Sequence, residues 1–284
     1  MKLLILDSGH NEYVQGKEAP DKSLREWIFN NEMQYKIKKR AEEHGITVYL
    51  TNPDPAKKDE IGLSKRANLA NDYWTKNSKP EALFISIHAN AYGNDFNSAR
   101  GTEVYTGKNG SSNSKNAAAY VQEEIFKCIK SIDSNAKDRG VKSENFTVIY
   151  KAAMPSILVE YAFYTNADDL KILKNNKDSL VEATIKGICR YFGITYKAPQ
   201  TIVTPTYQYE NVIVYKSEED RVISLVLGLG LSKYKIMSVS EYKKDIAKNV
   251  YVIGSATKDL KGNYNFNGAD KWETMNLVLK HLGK

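Results

Sequence analysis

Cysteine, histidine and long apolar runs are scarce in this 284-residue chain. Cys128 and Cys189 are its two cysteines, too few for a disulfide framework. Each sits in an apolar helical pattern and reads as a buried free thiol, consistent with folding in a reducing compartment. No stretch approaches the roughly 18 consecutive apolar residues of a membrane span. The apolar start Met1–Leu6 is broken by Asp7, Ser8 and His10, and is too short for a signal-peptide core. The expectation is therefore a chain made in the cytoplasm, with no membrane insertion. A basic tail or Arg-rich helix is also missing. The net charge of +7 is spread along the chain, which fits weak attraction to an anionic polymer and does not favour nucleic acid. With 42% hydrophobic and 26% charged residues, disordered and fibrous classes are excluded.

What is present is an alternation of short buried strands and amphipathic helices. Leu3–Leu6, Ile46–Leu50, Leu83–Ile87, Gly101–Thr106 and Ser156–Val159 read as strands. Residues 24–44, 63–77, 115–131 and 177–192 read as helices, with Gly45 and Gly193 as terminating glycines. Strands and helices alternating at this length predict a three-layer α/β domain over residues 1–195. Residues 196–208, with Pro199, Pro205 and several threonines, read as a linker. Beyond it, 209–284 predicts a small second α/β domain: strands at Asn211–Tyr215, Lys235–Val239 and Asn249–Ile253, and helices over 217–232 and 269–282.

The chain has four histidines, and two of them, His10 and His88, follow buried strands directly. Sites in α/β sheets gather at the carboxyl ends of strands. His10 and His88 are thus a candidate metal pair, against the plainer reading of polar residues satisfied at strand ends. A hydrolytic zinc site wants a third protein ligand. Helix 24–44 offers Glu26 and Glu32. Its apolar stripe of Phe29, Met33, Ile37 and Ala41 has Glu26 on its centre line, whereas Glu32 lies roughly 120° away and should face solvent. Glu26 is the better ligand candidate; its alternative role is a favourable acid at a helix start. His44 lies on the same stripe but about 27 Å further along the helix, so it reads as a C-terminal cap. Glu160 directly follows the apolar run Ser156–Val159. A carboxylate there must be paired or used, and zinc hydrolases need a glutamate that takes a proton from water. His281 is assigned no role.

Four motifs occur in order: Asp7-Ser8-Gly9-His10, then Glu26, then Ser86-Ile87-His88-Ala89-Asn90, and Leu158-Val159-Glu160 running on to Asn166. Leu50-Thr51, Arg66-Ala67-Asn68 and Gly101-Thr102-Glu103-Val104-Tyr105 accompany them. Over residues 1–193 this set resembles the zinc-dependent N-acetylmuramoyl-L-alanine amidases of bacterial autolysins and phage endolysins. Ser8 stands where that family often has proline or another small residue. The resemblance implies a mixed six-stranded sheet flanked by helices. It implies Zn2+ held by His10, Glu26 and His88, and Glu160 as the catalytic glutamate. The implied reaction cleaves the amide between N-acetylmuramic acid and the L-alanine of the peptidoglycan stem peptide. Asn90 and Ser86 are candidates for positioning ligands or substrate. Residues 209–284 look like the cell-wall-binding domain of clostridial phage endolysins, on Glu210–Tyr215, Asn249–Gly254 and Trp272–Leu279. That likeness implies wall targeting, with anionic wall polymers as candidate partners, and a homo-oligomer formed through this domain. The leading expectation is an endolysin admitted to the wall by a holin. The alternatives are a host amidase of mother-cell lysis and a non-catalytic wall-binding protein on an amidase scaffold.

Overall fold

The computed structural model describes residues 1–56, 61–199 and 207–284. Contacts divide the chain into two units, Met1–Pro199 and Gln200–Lys284. The first is built on a six-stranded sheet with the order β2-β1-β3-β6-β4-β5. In chain order these strands are β1 (Lys2–Ser8), β2 (Thr47–Leu50), β3 (Glu81–Asn90), β4 (Thr102–Thr106), β5 (Asp138–Ser143) and β6 (Ser156–Phe163). β2, β1, β3 and β6 run parallel, and β4 turns antiparallel against β6. The sheet is therefore mixed. The carboxyl ends of β1, β3 and β6 and the amino ends of β4 and β5 share one edge.

Why these segments are strands is plain in the middle of the sheet. Leu3–Leu6 and Leu83–Ile85 are wholly buried, as parallel strands covered on both faces must be. One face packs on α1 (Glu26–Glu43), α3 (Ser112–Ile132) and α6 (Lys177–Phe192), joined by α5 (Ala167–Asn175). The other packs on α2 (Leu63–Lys76) and the single turn α4 (Thr147–Tyr150). The expected stripe of α1 is the buried one: Phe29, Met33, Ile37 and Ala41 are at most 1% exposed. That helix closes through His44, whose Nδ1 lies 2.7 Å from the Arg40 carbonyl, and Gly45 at φ +74°. The Nε2 of His44 accepts the Lys197 amide at 2.9 Å, and Tyr196 stacks on its ring. Tyr196 and Lys197, the first residues of the expected linker, are thus tied to α1. Residues 200–206 of that linker lie outside the described residues.

Several expectations need correction. β3 and β6 run three to four residues further than their apolar cores suggest, so His88 and Glu160 lie within strands rather than after them. β5, with the sequence DRGVKS and half-exposed, carries no apolar run that would announce it. α4 and α5 were also illegible, being short. Cys189 is buried, but Cys128 is only half-buried, packed against the edge of the same core.

The second unit has a four-stranded, all-parallel sheet with the order β10-β9-β7-β8. Its elements are β7 (Tyr209–Tyr215), α7 (Glu218–Leu229), β8 (Tyr234–Ser238), β9 (Ala247–Ile253), β10 (Tyr264–Phe266) and α8 (Lys271–His281). β10 is three residues long and was not expected. α7 and α8 cover Ile213, Tyr251 and Ile253 on one face, where His281 packs against Tyr251, Tyr264 and Phe266. α7 is apolar on its outer side as well: Val222, Leu225 and Leu229 are 54, 46 and 86% exposed. Among the described residues, no helix is long and apolar enough to cross a membrane.

Beneath the carboxyl end of β1 lies a buried ion pair. Asp7 accepts from Arg66 Nη1 at 3.1 and 3.2 Å, from Thr51 Oγ1 at 2.6 Å and from Ser86 Oγ at 2.9 Å. Arg66 also donates to the Ser8 carbonyl at 3.0 Å, joining α2 to β1. Removing one partner of a buried pair leaves the other charge uncompensated. Arg66→Met should therefore cost about 3 kcal/mol or more in urea unfolding of the first unit. A loss below about 1 kcal/mol would show that Thr51 and Ser86 satisfy Asp7 without it.

Candidate metal centre

At the edge where β1, β3 and β6 end, three side chains converge. His10 comes from the turn after β1, Glu26 from the first residue of α1, and His88 from β3. His10 Nε2 lies 3.3 Å from Glu26 Oε2, and His88 Nδ1 lies 3.0 Å from Glu26 Oε1. One donor atom from each residue falls within 4.8 Å of the other two, a spacing that could hold one metal ion. The two imidazoles stand edge to face, 5.1 Å between centroids. Glu26 is 2% exposed, while His10 and His88 keep partial access to solvent.

Local structure explains how each group arrives. His10 has φ +60°, left-handed backbone that a non-glycine residue adopts only when its surroundings impose it. They do so here: Asn52 donates to the carbonyls of Ser8 and His10 at 2.8 and 3.1 Å, and Asn30 donates to Gly9 at 3.0 Å. The Gly9 amide donates to Ile87 at 3.0 Å, drawing the turn onto β3. Gly9 has to be glycine, because a Cβ there would sit 2.2 Å from His88 Cε1. Glu26 Oε1 accepts the Ala89 amide at 3.2 Å, which aims its carboxylate along β3. Burial alone would push the Glu26 carboxyl up. The hydrogen bonds and charges of His10 and His88 outweigh it and hold that group at about 2.

Glu160 faces this triad from the neighbouring strand, paired in register with His88. Its Oε2 is buried and has no hydrogen-bond partner among the described residues. Burial, followed by the negative charges of Glu26 and Glu103, raises its pKa well above the ordinary carboxylate range, with Lys17 opposing. Glu103 is in register with Glu160 on the other side. It is 2% exposed and fully engaged: Asn90 Nδ2 donates at 2.7 Å, Tyr105 hydroxyl at 2.8 Å and Arg139 Nε at 2.5 Å, and Lys142 forms an ion pair. Burial works against ionisation of Glu103, but the bonds from Lys142, Arg139 and Tyr105 prevail and its pKa is lowered. Of two carboxylates side by side in one sheet, Glu103 is paired and held charged, and Glu160 is unpaired and inclined to hold a proton.

His10, Glu26, His88 and Glu160 are thus brought together. Glu32 pairs with Lys177 on the helix surface, and His44 is confined to the other end of α1. Neither candidate positioning residue touches the triad: Ser86 bonds Asp7 below the site and Asn90 bonds Glu103. Glu103, Arg139 and Lys142 escaped sequence reasoning as site residues. A glutamate alternating with apolar residues in a strand reads as solvent-facing, and only the β4–β6 pairing turns it inward.

The fold thus brings together three side chains that could hold one metal ion, with a carboxylate in register beside them. Residues 4–190 match the N-acetylmuramoyl-L-alanine amidase family, and the chain belongs to it. It is 32% identical over 192 residues to the N-acetylmuramoyl-L-alanine amidase LytC of Bacillus subtilis, covering 66% of this chain and 35% of LytC. It thus spans about a third of that relative. The endolysin of Bacillus phage SPP1 is 25% identical over 288 residues, covering 96% of this chain and 98% of the endolysin. Among solved structures, the N-acetylmuramoyl-L-alanine amidase from Clostridium difficile 630 superposes with a TM-score of 0.58 at 29% identity, covering 68% of this chain and 97% of that one.

The position of Glu160 makes a pH-dependent stability prediction for the metal-free protein. A carboxyl whose folded pKa is raised binds its proton more tightly in the folded state. Stability therefore falls as pH rises from the unfolded value, about 4.3, through the folded one. Glu160→Gln removes that penalty. It should raise the Tm at pH 8 by about 2–4 °C and have little effect at pH 4.5. A gain of equal size at both pH values, followed by calorimetry, would mean that charge at Glu160 is not its source.

Proposed function

We propose that the first unit is a zinc-dependent amidase that cleaves the bond between N-acetylmuramic acid and the L-alanine of the stem peptide. One observation carries this reading: His10, Glu26 and His88 converge beside Glu160, whose Oε2 is buried without a partner among the described residues. The donor set fits zinc. Two imidazoles and one carboxylate are a hydrolytic ligand set that leaves a position for substrate or water. His10, Glu26 and His88 would hold the ion through the donor atoms that converge there. When bound, zinc supplies Lewis acidity that polarises the amide carbonyl and lowers the pKa of a water.

The chain's own residues supply the rest. Glu160 accepts the proton of the attacking water as its oxygen adds to the carbonyl carbon. It then delivers that proton to the departing nitrogen as the C–N bond breaks, leaving a lactyl carboxylate and a free L-alanine amine. A pKa above the ordinary carboxylate range suits both halves of this exchange near neutral pH. Glu103, held charged by Arg139 and Lys142, helps keep the Glu160 pKa high.

The wider reading is an endolysin: made in the cytoplasm, released to the wall by a holin, and targeted there by residues 209–284 as a cell-wall-binding domain. The alignment with the SPP1 endolysin supports it, since it runs through the second unit as well as the first. Self-association through that unit belongs to the same reading, supported by the exposed stripe Val222, Leu225 and Leu229.

Digestion of purified peptidoglycan by the zinc-loaded protein should release free amino-terminal L-alanine with glycan strands intact, read by mass spectrometry. Glu160→Ala should lower this activity by about 10²–10⁴-fold while metal content is unchanged. New reducing ends, or cuts inside the stem peptide, would overturn the bond assignment. Loss of zinc in the variant would make Glu160 a ligand. Intact walls should also retain the full chain better than residues 1–199 alone in a pull-down, and equal retention would remove the targeting role.

A further inference from the structure

The connection between β3 and β4 is unusual in where it must run. β3 and β4 are not neighbours: β6 lies between them, and all three meet at the edge that carries the metal centre. Residues 91–101 therefore arch over the carboxyl end of β6, from the strand of His88 across the strand of Glu160 to the strand of Glu103. The arch is firmly built. Tyr92 donates its amide to Thr165 Oγ1 at 3.0 Å, and Asn97 donates its amide to the Thr165 carbonyl at 2.9 Å. Asn166 Nδ2 donates to the Asn97 carbonyl at 2.9 Å, and Asn97 Nδ2 closes the loop on the Tyr92 carbonyl at 2.6 Å. At its far end, Asp169 accepts from Arg100 Nε and the Gly101 amide at 3.1 and 2.7 Å.

This fixed frame holds two aromatic side chains out in water. Tyr92 is 70% exposed and Phe96 is 46% exposed. Phe96 is left nearly half in water on a loop whose backbone is pinned. Because the backbone that carries the two rings is already fixed, a ligand packing on them would order little further loop. The chemistry of the site says which ligand. The scissile amide joins a peptide to the lactyl ether of a sugar, so a pyranose ring must lie within a few bonds of the centre. Tyr92 follows His88 by four residues, at most about 14 Å of chain. Pyranose rings have C–H-lined faces that pack on the electron-rich faces of aromatic rings, whereas the stem peptide offers mainly amides and carboxylates.

We infer that residues 91–100 form the glycan-side subsite of this enzyme, with Tyr92 and Phe96 as the platform on which a pyranose of the sugar strand stacks. This rests on the amidase reading for its substrate. Its test is independent of hydrolysis. Titration calorimetry of the full chain with a peptide-free glycan tetrasaccharide, alternating N-acetylglucosamine and N-acetylmuramic acid, offers nothing to cleave. The double substitution Tyr92→Ser with Phe96→Ser should weaken this binding by about tenfold. Tyr92→Phe, which keeps the ring, should stay within about twofold of wild type. On polymeric peptidoglycan the double variant should raise KM and leave kcat unchanged. Unchanged glycan affinity in a double variant of normal Tm, as expected if the arch docks a protein instead, overturns the proposal. So does the absence of tetrasaccharide binding by the wild-type chain. Glycan binding that depends on the arch, in a protein that releases no L-alanine, upholds the subsite and removes the amidase reading alone. Amide cleavage with arch-independent glycan binding does the reverse.

Discussion

The constraint on which the rest of the site depends is the burial of the Glu26 carboxylate. A charge out of contact with water must be met by donors on every side, and this one is met by two imidazoles and the Ala89 amide. Satisfying it draws together the turn after β1, the start of α1 and the end of β3. The same demand explains the left-handed backbone of His10 and the absence of a side chain at Gly9. The three carboxylates at this edge are then sorted by their partners. Glu26 is held by imidazoles, Glu103 by Arg139, Lys142 and a tyrosine, and the buried oxygen of Glu160 has no partner among the described residues. The member that cannot be satisfied internally is the one free to exchange a proton.

Support for this arrangement extends below the site. Asp7, Arg66, Thr51 and Ser86 form a buried polar network whose only evident output is the position of the Ser8–His10 turn. Its bonds fix the geometry of that turn, although Arg66 Nε is buried without a partner among the described residues. Here it lets a strained residue carry a ligand without the turn relaxing. The course of the β3–β4 connection follows from topology: an antiparallel β4 placed beyond β6 obliges it to arch over the carboxyl end of β6.

Residue pattern alone made much of this legible. Buried parallel strands announce themselves as apolar runs, and the stripe on α1 put Glu26 inward and Glu32 outward, as the structure has them. His10, Glu26, His88 and Glu160 could be singled out because polar groups at the ends of buried strands, or on a buried helix line, need a reason to be there. β5 and β10 were not legible, because an edge strand with one exposed side has no apolar run to betray it. The true ends of β3 and β6 were hidden for a related reason: hydrogen-bonded strand continues past the apolar core into polar residues.

Local sequence, then, determined which segments bury themselves and which polar residues sit on the buried lines. Those properties depend on periodicity and composition within one element. Only the tertiary structure decided which elements became neighbours. The pairing of β6 between β3 and β4 is a contact between distant segments, and no local pattern encodes it. That pairing set Glu103 and the cations that hold it beside Glu160, and carried residues 91–101 over the end of β6. The candidate ligands could be picked out from the sequence; their surroundings, and so the raised pKa of Glu160, arise from the packing.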